Sequence, residues 1–410
     1  MIETDYLVVG AGATGMAFTD SLLTHTDADV LLVDRQDRPG GHWLHAYPFV
    51  RLHTPSAFYG VNSRALGRDA LDVEGRNAGR YERATGGEVL EYFQRVLAED
   101  LLPTGRVRFI GMNHHVIEDD GRHVLTNRVT GEQTEVLVRR KLVDATYLPS
   151  DSPATHTRSF SVEPGTAIVP VGGLTTVVGP ADRYVVLGAG KTSMDACMWL
   201  LDQGARAEDI TWVRPRDAWL IPRGRFQPLE LVAVTLNGLS LELESSSGAT
   251  GLEYLLDRLS ACGQLDRLDP EVRPAMYHCA LADEGEMEAL RTIKDVVRLG
   301  HVRSVSPGRI DLSDGSVEVP KASLFIDCTA RGLSSQPVHP VFEPGRITPQ
   351  MVRACSPMFN AALVAFLEST HRSDEAKNRL TPVVPGPQVP ADWIRNALNT
   401  YDTLALWSAE

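Results

Sequence analysis

Short apolar runs, each closed by glycine or a charged residue and followed by a stretch with helical spacing, set the pattern of the chain. Tyr6 to Val9 breaks into Gly10, Gly12 and Gly15 and then into a helix-compatible stretch ending near Leu23, and the next apolar run, Ala28 to Val33, stops at Asp34. The pattern recurs 178 residues on, where Asp182 to Leu187 breaks at Gly188 and Gly190, a helix is expected to about Leu201, and Ile210 to Val213 ends in Arg214-Pro215-Arg216. Both stretches predict strand, tight turn, helix and strand.

Between them, Gly87 to Leu97 carries apolar residues at helical spacing. Val107 to Ile117, His123 to Val129 and Thr134 to Val143 alternate around Asp-Gly and Thr-Gly turns, predicting a small antiparallel meander. Leu148 to Pro180 reads as a linker. From Pro222 to Leu299 the pattern is mostly helical, with packing stripes over Leu252 to Leu259 and Met287 to Leu299 and an exposed acidic turn at Asp283 to Glu288. Short strands follow over Arg303 to Val319, then a buried-looking strand over Ser323 to Asp327. Thr348 and Pro349 carry the signature of a helix start, and a last helix is expected from about Asp392.

The repeated motif has a chemical reading. Gly10 permits the turn, Gly12 lets a pyrophosphate approach the backbone, and Gly15 lets helix and strand pack closely, so that the N–H groups of Ala13 and Thr14 at the helix start point at phosphate. Asp34, 24 residues after Gly10, stands where a carboxylate accepts ribose hydroxyls, which suits FAD or NAD rather than NADP. In the second cradle, Gly188, Gly190, Lys191, Thr192 and Ser193 form the turn, and Arg214 and Arg216 occupy the place of that acid, where a guanidinium pairs with a 2′-phosphate. A P-loop would need glycine at position 185, which is valine.

Composition narrows the function classes. At 410 residues the chain predicts two or three domains, and a net charge of −13 with no basic run argues against nucleic acid. The five cysteines, at 197, 262, 279, 328 and 355, include no CxxC, so neither a disulfide framework nor a disulfide reductase motif is indicated. Histidines 42, 45 and 53 lack accompanying carboxylates, and no metal is expected. An immediate first strand and the absence of a long apolar run predict a cytoplasmic protein without a membrane anchor.

The segment after Asp34 is the most specific. Arg35 is followed by Pro39-Gly40-Gly41-His42-Trp43 and then by Tyr47-Pro-Phe-Val50-Arg-Leu-His53. Together with the two cradles, these residues resemble the class B flavoprotein monooxygenases, in which an acid ends the second strand, a GGxW motif follows and a Tyr-x-x-Val-x-x-Asn segment passes beside the flavin. Histidine replaces that asparagine here, so His53 is either a proton handler or a hydrogen-bonding wall of the pocket. Pro153 to Phe160 resembles part of the family fingerprint, keeping a histidine and an aromatic but lacking the preceding Phe-x-Gly.

The resemblance implies an α/β fold of two Rossmann-like dinucleotide-binding domains: an FAD domain over 1–165 and 301–410, interrupted by an NADPH domain over 166–300 with a helical insert at about 222–299. It implies that Ser323 to Asp327 returns to the FAD domain, placing Asp327 and Thr329 near the first cradle. It further implies an NADPH-dependent oxidoreductase whose reduced flavin captures dioxygen as a C4a-(hydro)peroxide to oxygenate a small organic substrate. A flavoprotein dehydrogenase or reductase that excludes oxygen, and a non-catalytic nucleotide-binding protein, are the alternatives.

Overall fold

A computed structural model describes residues 1–148, 152, 154–330, 332, 336–370 and 373–409. Linker residues 149–151, Pro153 of the fingerprint-like segment and Arg331 lie outside the described residues.

The first unit is built on β1 (Ile2–Val9), α1 (Ala13–His25) and β2 (Val30–Val33), followed by α2 (Gly86–Arg95), β3 (Val107–Ile110), β4 (Asn113–Ile117), β5 (His123–Asn127) and β6 (Gln133–Asp144). β6, β1, β2 and β3 form a parallel sheet, and every residue of β2 is buried, as expected of a strand covered on both faces. The run predicted over Val107 to Ile117 divides at Gly111-Met112: β3 extends the parallel sheet, while β4 and β5 turn back antiparallel onto β6.

After β7 (Ser161–Val162) and β8 (Ile168–Pro170), the second unit forms on β9 (Arg183–Leu187), α3 (Lys191–Asp202) and β10 (Ile210–Val213). β11 (Ala218–Pro222), α4 (Val232–Ser246), α5 (Leu252–Ala261), β12 (Met276–Ala282) and α6 (Glu284–Arg291) make up the insert. It is not wholly helical, since β11 and β12 pair in parallel, and the stripe predicted to Leu299 ends early, giving way to β13 (Val296–Val297), which joins β10. β14 (Val302–Ser306), β15 (Arg309–Leu312) and β16 (Gly315–Glu318) form a small sheet with β7.

Two expectations fail here. β17 (Ser323–Asp327) does not return to the first unit: it lies between β9 and β8 in the second sheet, whose order is β13-β10-β9-β17-β8. The chain rejoins the first sheet only at β18 (Phe342–Glu343) and β19 (Arg346–Ile347), the latter beside β6. No helix starts at Thr348, whose N–H donates to Val341 O at 2.8 Å; α7 begins nine residues later (Pro357–Thr370) and packs on α1. α8 (Asp374–Arg379) and α9 (Ala391–Ser408) close the chain.

Candidate functional site

The first cradle forms because β1 must turn sharply into α1. Gly10 has φ +103°, and a Cβ on Gly15 would lie 1.8 Å from Gly10 O, so helix and strand touch at backbone distance. Gly41 adopts φ +55°, and its own Cβ would meet Gly12 Cα at 2.9 Å; the Gly40-Gly41 turn therefore folds directly over the cradle, held by Gly40 N–H donating to Ala11 O at 2.9 Å. Asp34 accepts the N–H of Ala11 at 2.6 Å and that of Gln36 at 2.8 Å, tying the glycine turn to the end of β2 while each oxygen keeps further acceptor capacity.

α1 and α3 begin at Gly12 and Gly190 with no side-chain cap and no acidic residue in the first turn. Their leading N–H groups and positive helix ends are thus free for an anion. A Cβ on Gly190 would meet nothing within 4 Å, so the second cradle is open above its glycine.

Both cradles open on one continuous cleft of about 2760 Å³. Gly10, Gly12, Ala13, Thr14, Asp34, Arg35, Gly41, His42 and Trp43 line it from the first unit, as does His53; Gly188, Gly190, Lys191, Thr192, Arg216 and Thr329 line it from the second. The other candidates do not reach it. Gly15 is a packing position, and Ser193 is fully buried with its hydroxyl donating to Gly190 O at 2.7 Å. Arg214 is 4% exposed, lies over the Trp212 ring and pairs with Asp217 at 3.1 Å, whereas Arg216 is exposed, lines the cleft and has no ion pair among the described residues. Asp327 is fully buried; it anchors Arg158 at 2.8 Å and Thr329, beside the second cradle rather than the first. Trp219 is core.

Behind His53 lies an ionic cluster that joins the two units. Glu286 Oε2 accepts from Arg223 at 2.8 Å and lies 3.8 Å from Lys191, while its Oε1 accepts from Arg83 at 3.4 Å; Lys191 also pairs with Asp195, which accepts the Tyr47 hydroxyl at 2.6 Å. The acidic turn expected to be exposed is so only at Glu284 and Glu288: Asp283 caps α6 and, with Glu286, is buried. Burial favours the protonated form of Glu286, but the Lys191, Arg223 and Arg83 charges override it and hold the carboxyl well below its ordinary range. Burial, reinforced by the same three cations, lowers His53 to about 4, so its ring is neutral at pH 7. Burial lowers His42 to about 4 as well. Sequence spacing could not have shown this cluster, because its members come from five separate segments.

A second group was also illegible in sequence. Glu242 on α4, pushed up to about 7 by burial, lines the cleft with Tyr277, Cys279, Cys355 and Tyr401. Among the described residues no group of three or more His, Cys, Asp or Glu is placed to hold a metal, and no helix is long and apolar enough to cross a membrane.

Comparison with known proteins fits this architecture. A family model for an NAD(P)-binding Rossmann-like domain matches residues 8–54. Steroid monooxygenase bound to NADP shares the fold with a TM-score of 0.55 at 14% identity, over 90% of this chain and 85% of its own. Cyclohexanone monooxygenase from Rhodococcus sp. Phi1 bound to NADP+ gives 0.54 at 14% identity, covering 90% and 83%. Bacillithiol disulfide reductase from Bacillus cereus gives 0.51 at 11% identity, covering 92% and 99%. The fold is the two-dinucleotide-binding-domain fold that these monooxygenases and the disulfide reductase share. Within it, the chain belongs to the family of the uncharacterized protein Rv2000 of Mycobacterium tuberculosis, with 47% identity over 395 residues, 96% of this chain and 72% of that protein.

Proposed function

We propose that the chain is an FAD-containing, NADPH-dependent oxidoreductase that acts as a monooxygenase on a small organic molecule. The observation that carries this reading is the opening of two uncapped glycine cradles onto one cleft. FAD would be held by Gly10 to Thr14, Asp34 and the Gly41-His42-Trp43 turn, and NADPH by Gly188 to Thr192 with Arg216 at its 2′-phosphate. When bound, the flavin supplies two-electron chemistry toward dioxygen, with NADPH as reductant.

The chain itself binds, orients and excludes water. The Gly41 turn covers the first cradle, and Trp43 is fixed by donating from Nε1 to the Tyr59 hydroxyl at 2.8 Å. Neutral His53 offers one donor and one acceptor at the cleft wall and keeps that state across the neutral range, which supports the hydrogen-bonding wall rather than the titrating proton handler. Tyr47, tied to Asp195, links this wall to the second unit.

The test begins with the visible spectrum of purified protein after FAD loading and desalting, then under anaerobic NADPH or NADH. A retained flavin bleached preferentially by NADPH, with dioxygen uptake matched to oxygenated product from a panel of amines, sulfides and ketones, is the expected outcome. The incomplete fingerprint around His156 favours a second reading, a reductase without oxygenation; it prevails if NADPH is consumed without oxygen entering a product. A colourless protein that takes up no FAD rejects both.

A further inference from the structure

The insert presents to the cleft two hydrogen-bond donors that the fold itself does not use. Arg225 is half-buried, lines the cleft, and its guanidinium makes no ion pair or hydrogen bond among the described residues. Gln264 is 5% exposed, lines the same cleft, and its Nε2 has no partner among the described residues. A buried donor left unused costs stability, so its presence points to a ligand. The two come together at one place: a Cβ on Gly263 would lie 3.2 Å from Arg225 Nη2, and Gln264 is the next residue.

The backbone holds both in place. Arg225 ends a short 3-10 turn, Arg223–Arg225, whose first residue is fully buried and donates from Nε to His53 O at 3.0 Å. Gln227 fixes the other side of that turn. Its Nε2 donates to Arg223 O at 3.1 Å, its Oε1 accepts the Tyr81 N–H at 3.0 Å, and its backbone exchanges two 2.8 Å hydrogen bonds with the Thr235 hydroxyl on α4. Gly263, with φ +74°, follows the end of α5, and the Gln264 carboxamide rests on Gly238 of α4, where a Cβ would lie 2.9 Å from Oε1. Glycine weakens a helix interior, and here its missing side chain is the space that the amide fills.

A planar guanidinium beside an amide NH₂ suits a carboxylate, which accepts two parallel hydrogen bonds from the one and a third from the other. One cation matches a single negative charge, and Glu242, one turn beyond Gly238 on the cleft face of α4, opposes a dianion such as a phosphate ester. Phe226, Leu239, Met276 and Trp393 give the cleft apolar surface for the rest of a ligand. We propose that Arg225 and Gln264 form a carboxylate-binding site and that the substrate is a monocarboxylate with an apolar body. The site rests on the monooxygenase reading only in that its ligand is called the substrate, since binding needs no turnover.

Calorimetric titration of the full-length protein, with FAD and without it, tests the site with hexanoate, 3-phenylpropionate and 4-phenylbutyrate, each against its primary amide. At least one acid should bind about tenfold tighter than its amide, and Arg225→Gln should cut that advantage to about twofold or less. Arg225→Lys keeps the charge but loses the fork and should fall between the two. Gln264→Leu removes the unused donor, so it should weaken the same acid about threefold while unfolding at an equal or higher urea concentration. No acid preferred over its amide overturns the proposal. So does an Arg225→Gln variant that loses stability but keeps the preference, which would assign the guanidinium to the end of α5. An equal loss of NADP+ affinity in Arg225→Gln would assign it to cofactor phosphate and overturn the proposal as well. Acid preference in protein that retains no FAD supports the site and rejects only the oxygenation reading; a retained flavin bleached by NADPH, without acid preference, does the reverse.

Discussion

Arg214 and Arg216, two residues apart, have opposite fates because one side chain is enclosed and the other is not. Arg214 shares Asp217 with Arg298, whose Nε lies 2.8 Å from it, so Arg214→Ala leaves a buried carboxylate with one partner fewer and should cost about 3 kcal/mol in urea unfolding. Arg216→Ala should leave stability nearly unchanged and raise KM for NADPH about tenfold with little effect on NADH, since only NADPH carries the phosphate. A change of similar size for both cofactors would remove Arg216 from that role. At His53 the prediction concerns pH. Its pKa falls from 6.5 to about 4 on folding, so between those values the unfolded chain binds the proton and the folded one does not. Stability therefore declines as pH drops from 6.5 toward 4, by about 1.4 kcal/mol per pH unit for this group at the steepest. His53→Asn should flatten that part of the stability profile, measured by urea midpoints at pH 7, 6 and 5.

At the scale of elements, the strand, turn and helix of each cradle separate two roles for glycine. Gly15→Ala would put a methyl 1.8 Å from Gly10 O and should prevent α1 from docking, giving insoluble protein. Gly190→Ala meets nothing within 4 Å, so stability should change by less than about 1 kcal/mol while NADP+ affinity in a fluorescence titration falls. Unchanged affinity would mean that nothing approaches that backbone. These cradles were legible because every constraint lies within one strand, turn and helix, where glycine and apolar spacing speak directly. The destination of β17 was not: all five of its residues are buried, and such a strand looks the same in either sheet until its neighbours are known. The helix start at Thr348 had the right local signature, but pairing with Val341 kept the chain extended. Alternate residues of the acidic run, Glu284 and Glu288, are exposed as expected, while Glu286 is drawn inward by cations that the local sequence does not contain.

Across the whole molecule, Glu286 is where three cations from both units meet one carboxylate, beside the Arg80–Asp283 and Arg76–Asp202 pairs that also cross between the units. Arg83, at the threshold of α2, meets Arg223 and Lys191 of the second unit at this one carboxylate, and Arg223, fully buried, also donates from Nε to His53 O at 3.0 Å. Removing the charge leaves fully buried Arg223 without its carboxylate and Lys191 with Asp195 alone, which is far costlier than losing a surface pair. Glu286→Gln keeps the shape and should lower stability at pH 7 by about 3–5 kcal/mol. The folded carboxyl is held well below its ordinary 4.5, so its contribution is present above that pH and is lost as pH falls through the folded value. The gap between wild type and variant should accordingly be widest near neutrality and narrow on acidification below about pH 4.5. A gap that stayed constant with pH would show that Glu286 acts through packing rather than through its charge.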